Sequence, residues 1–101
     1  MKRKAAGEYK SLQALREQID SIDKEIIELL SERFGFVKEV TKYKEPNANS
    51  IIAHERYNQV ISERGRWAEE KGLCGDLIKE MYTNLLNYFI EEETRMLKIK
   101  Q

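Results

Sequence analysis

Three ionisable side chains stand where helical periodicity calls for apolar ones. Leu12, Leu15, Ile19, Ile22, Ile26, Leu29, Arg33, Phe36, Val40 and Tyr43 follow one another at alternating steps of three and four residues, with Arg33 the one charged member. Lys44 lies eleven residues after Arg33, about 1100° of helical rotation and so nearly the same face, and about 16 Å further along the axis. Glu93 interrupts the row Leu77, Met81, Leu85, Phe89, Leu97 at its one remaining step. Charged groups taken out of water need partners. Each position has an ordinary explanation: Arg33 can snorkel or pair with a structural carboxylate, and Glu93 can face water at a helix end. Two cations and one acid on apolar rows also describe a pocket that holds an anion-bearing small molecule. Covalent alternatives lack parts. His54 has no Ser or Cys arranged around it for a triad, Cys74 and one His make no zinc ligand set, and no Gly-rich phosphate loop is present.

Arg16 lies on the edge of the same segment, seventeen residues before Arg33 and so about 25 Å away. The two cannot grip one small molecule from one helix. Antiparallel pairing with a second copy of the chain brings Arg16 of one beside Arg33 of the other.

The elements that position these residues are helices. The first runs from about Leu12 to Lys44 with Ser11 as N-cap, and Pro46-Asn47-Ala48-Asn49 closes it. At about 50 Å it outruns a compact chain of this size, whose radius of gyration is about 13 Å. A homodimer is the simplest way to cover its seam. The second helix spans about Ala53 to Lys71, with Tyr57 and Trp67 read as core residues. Gly72 then ends it as a C′ residue, with Leu73 packing back. Asp76 is the expected N-cap of a third helix that continues to about Lys98. No strand-like alternation competes, so the fold class is all-α, with three helices per chain, one of them very long.

The 101 residues make one domain, residues 11–101, preceded by a basic, flexible tail at residues 1–10 that carries Lys2-Arg3-Lys4. Lys+Arg and Asp+Glu are equal at 18 each, so no global field favours nucleic acid. No apolar run suits a membrane span and no signal peptide is visible, which makes the cytoplasm the expected compartment.

Leu15-Arg16-Glu17-Gln18-Ile19-Asp20-Ser21-Ile22-Asp23 resembles the opening LRxxIDxID of the all-helical chorismate mutases, and Ile26-Ile27-Glu28-Leu29-Leu30-Ser31-Glu32-Arg33 is similar to their LLxxR. Val37 to Lys44 and Glu55-Arg56 continue the likeness, which covers about Leu12 to Leu97. Glu63 to Leu73 and Asn87-Tyr88-Phe89-Ile90 resemble the branch that contains isochorismate–pyruvate lyases.

The resemblance implies an intertwined homodimer, no cofactor and no metal. Its substrate is chorismate or isochorismate, in a site shared between chains. Arg33, with Arg16 of the second copy, would bind the substrate carboxylates, with Phe89 as a further binding residue. Lys44 would donate to the ether oxygen whose bond to carbon breaks, and Glu93 takes the place of a Gln or Glu donating to that same oxygen. Glu55 would hold the ring hydroxyl and orient Lys44. A carboxylate at Glu93 would repel the ether oxygen, so donation needs a proton there, which burial among apolar neighbours favours. The implied reaction is the rearrangement of chorismate to prephenate, with lyase activity giving salicylate and pyruvate as the alternative. A non-catalytic helical dimer acting as a binding or regulatory module is the third reading. An Asp common in mutases near Ile51, and an Arg at the position of His54, are both missing, as they are in the lyase branch.

Overall fold

The computed structural model describes residues 3–97, apart from the side chains of residues 48 and 51. A single 3-10 turn at Ala6–Glu8 leads into α1 (Leu12–Thr41), α2 (Ala48–Ile52), α3 (His54–Glu70) and α4 (Gly75–Met96), with no strand among the described residues. The all-α class and the three long helices agree with the sequence reading, and α2 is an addition. Lys2 and Lys98 lie outside the described residues. Among those residues no helix is long and apolar enough to cross a membrane. The chain divides into two compact units, residues 1–35 and 36–101.

In the first unit the Ser11 hydroxyl accepts the Ala14 N–H at 3.0 Å, capping α1. The residues before it fold back. Arg3 donates to the Ser21 hydroxyl at 3.1 Å and pairs with Glu25 at 3.0 Å. The hydrogen bond from Arg3 holds the Glu25 carboxyl below its ordinary value. Leu15 is half-buried, but the rest of the apolar seam in this unit stays open in the single chain, from 40% exposure at Ile22 to 62% at Leu12 and Leu29.

In the second unit α3 and α4 form a helical hairpin. Its turn is a Schellman motif: Leu73 N–H reaches Ala68 O at 2.8 Å, Gly72 N–H reaches Glu69 O at 3.2 Å, and Gly72 takes φ +79°. The N-cap of α4 is Cys74, not Asp76, which falls within the first turn. Cys74 gives no side-chain cap. Instead the Glu69 carboxylate, carried over by the turn, accepts the Gly75 N–H at 2.5 Å. Among the described residues, Val60, Ala68 and Phe89 are the buried apolar side chains. Trp67 is 45% exposed, contrary to its reading as core, with the Arg64 guanidinium 4.5 Å above its ring.

At the N-terminal side of α3, Asn47 accepts the Ser50 N–H at 2.8 Å and caps α2. Ala53 then takes a left-handed conformation (φ 47°, ψ 67°) that costs an L-residue about 1 kcal/mol. Its N–H closes α2 on Asn49 O and its carbonyl opens α3 to Tyr57 N–H. That reversal is why α3 begins at His54 rather than at Ala53.

The hairpin crosses tightly where two glycines meet. A Cβ on Gly75 would stand 2.9 Å from the Gly65 carbonyl oxygen, and one on Gly65 would meet only the Lys79 side chain. Gly75→Ala is therefore expected to destabilise the protein by about 1–3 kcal/mol. Gly65→Ala should cost less, because the Lys79 stem can swing aside and alanine favours the helix. Urea unfolding of both variants checks this ranking, and the opposite order would refute the crossing.

Candidate active site

Glu93 lies in the last turn of α4 with only 5% of its surface exposed. Its backbone carbonyl takes the capping N–H of Leu97 at 3.0 Å. Its Oε2 receives the Lys44 ammonium at 2.8 Å and faces the Thr41 hydroxyl at 3.3 Å. Phe89, one turn earlier on the same side of α4, is buried as well. The carboxylate has thus left water for a cation and a hydroxyl, the arrangement that offsets the cost of burying charge.

The end of α1 delivers both donors. The helix stops at Thr41, three residues short of the end expected from the sequence. The N–H groups of Lys42, Tyr43 and Lys44 fold back on the carbonyls of Glu39, Val40 and Thr41 in tight turns. Pro46 disfavours helical backbone at Glu45, so the helix does not resume after these turns. Lys44 is therefore placed by a turn, and the helical rotation that put it on the face of Arg33 does not extend to it.

Arg16 is exposed and Arg33 half-buried, both on the part of α1 in the first unit. Glu55 is exposed in the first turn of α3 and lines a shallow depression with Ala53, His54, Arg56 and Gln59. Of the six residues singled out from the sequence, Lys44 and Glu93 are bonded directly, with Phe89 one turn away on α4.

Thr41 was not singled out. The pattern that could have found it is Val37, Thr41, Lys44, at steps of four and three, beside the more apolar row Phe36, Val40, Tyr43. The chain exposes that apolar row, up to 89% at Tyr43, and buries Thr41 at 4% exposure.

Residues 15–94 match the family model described as chorismate mutase type II. The chain belongs to that family. An isochorismate pyruvate lyase from Pseudomonas aeruginosa is 35% identical over 81 residues, covering 80% of this chain and 79% of that protein. A T-protein from Haemophilus influenzae is 37% identical over 71 residues, and one from Enterobacter agglomerans 36% over 75. The chain spans about a fifth of these T-proteins, 19% and 20% of their lengths. The family match includes Thr41 and all six residues singled out from the sequence, from Arg16 to Glu93.

Lys44→Met would leave Glu93 buried without its cation. A loss of about 2 kcal/mol is expected, below the range for a fully buried pair because the Lys44 side chain keeps 18% exposure. Glu93→Gln should cost less, and the double variant should recover much of the loss. A double-mutant cycle in urea measures the coupling, and strictly additive losses would show that the pair does not form.

Proposed function

We propose that this protein is a chorismate mutase, rearranging chorismate to prephenate in sites shared between two copies of the chain. The buried Lys44–Glu93 pair, set beside Phe89 within the family match, is the observation that carries this reading.

The reaction is concerted and needs no nucleophile from the protein. What accelerates it is confinement of the compact chair conformer and stabilisation of negative charge growing on the ether oxygen. An ammonium has three N–H donors, so Lys44 can stay anchored to Glu93 while another of its protons meets the ether oxygen. Arg33 and Arg16 of the second copy take the two carboxylates, and Glu55 the ring hydroxyl. Phe89 supplies an apolar wall that keeps water out. Glu93 can donate to the ether oxygen only through a protonated carboxyl.

Support for the second copy comes from the seam of Ile19, Ile22, Ile26 and Leu29, which is exposed in the single chain. A pairing that covers it removes apolar surface from water on both chains. Ile26→Glu is expected to shift the protein toward monomer in sedimentation and to cut turnover at least about tenfold as Arg16 is withdrawn. A fully active monomer would disprove the shared site.

The second reading, isochorismate–pyruvate lyase, is favoured by the relative from Pseudomonas aeruginosa, which this chain matches over most of its length. Offering chorismate and isochorismate separately, and following prephenate, salicylate and pyruvate, decides between the two. Prephenate from chorismate is the expected result, salicylate and pyruvate alone would favour the lyase, and turnover of neither would remove both.

A further inference from the structure

Thr41 is buried where valine would pack as well, yet its hydroxyl has two acceptors within reach. The Val37 carbonyl lies 3.0 Å away and Glu93 Oε2 3.3 Å away. A hydroxyl has one proton to give. Because 3.3 Å is longer than a settled O–H···O bond, the proton rests on Val37 or swings to Glu93 by rotation about the Cβ–Oγ bond. Val37 stands one turn before Thr41 in α1, so its carbonyl belongs to the helical ladder and can release the hydroxyl without being orphaned. Glu93 Oε2 also receives Lys44 Nζ at 2.8 Å. A carboxylate oxygen has two lone-pair directions, and with both donors in place those of Oε2 are filled.

We propose that Thr41 is a positioning residue that fixes the Glu93 carboxyl, holding Oε2 between its own hydroxyl and Lys44 so that Oε1 is the oxygen turned toward the substrate. The hydroxyl acts through Glu93 and does not touch the substrate. This role rests on the proposed turnover of chorismate or isochorismate.

The test measures kcat and KM of the full-length protein, on whichever of the two substrates it converts, for Thr41→Val and Thr41→Ser alone and for Thr41→Val in a Glu93→Ala background. Thr41→Val is expected to lower kcat about tenfold, the scale of one lost hydrogen bond, with KM changed less than about twofold. Thr41→Ser, which keeps the hydroxyl, should restore kcat, and in the Glu93→Ala background the valine change should have no further effect. If the valine variant does not fold, Thr41→Ala carries the same test. Unchanged kcat in a folded Thr41→Val variant, or an equal loss with and without Glu93, would overturn the role while leaving the proposed function standing. Turnover of neither substrate by the unmodified protein would overturn both.

Discussion

A carboxylate withdrawn from water must be met by donors, and in residues 36–97 that demand falls on Glu93. Leaving it unpaired would cost several kcal/mol, so the end of α1 has to come to the last turn of α4 and stay there. Where α1 stops decides which side chains arrive: Thr41 from its final turn and Lys44 from the tight turns that follow. The glycine crossing of α3 on α4 and the Glu69 cap on Gly75 hold the other side of the contact, because they fix where α4 starts. The candidate site is thus a by-product of satisfying one buried charge.

Much of this was legible in the sequence. The steps of three and four gave the three long helices, Ser11 marked the start of α1, and Gly72 with Leu73 marked the end of α3. Glu93 stood out because it broke an apolar row. What escaped notice depends on contacts between elements. Thr41 looks like any surface threonine until α4 is laid against it. Asp76 has the right chemistry for a cap, yet Glu69 takes the part because the turn swings it into reach. Periodicity also overran α1 by three residues, since the tight turns at Lys42, Tyr43 and Lys44 leave no mark on a helical pattern. Trp67 was assigned to the core by its size, whereas a ring under a guanidinium can remain half in water.

Family membership narrows the chemistry without choosing the reaction. On the proposed reading both the mutase and the lyase break the same carbon–oxygen ether bond, and a donor pair aimed at that oxygen serves either. Discrimination must come from the groups that hold the ring, around Ile51, His54 and Glu55. There the sequence lacks the Asp and Arg that mutases often carry, as the lyase branch does.

The Glu69–Gly75 hydrogen bond closes a loop of six residues, whereas the bonds from Lys44 and Thr41 to Glu93 span 49 and 52. Short closures lose little chain entropy and form early, while long ones wait. That difference implies an order of assembly in which the α3–α4 hairpin zips first and Glu93 remains hydrated until the end of α1 docks. The bonds that make the site would then be among the last to form and the first to open. Hydrogen exchange should find the amides around Lys44 less protected than those of the hairpin.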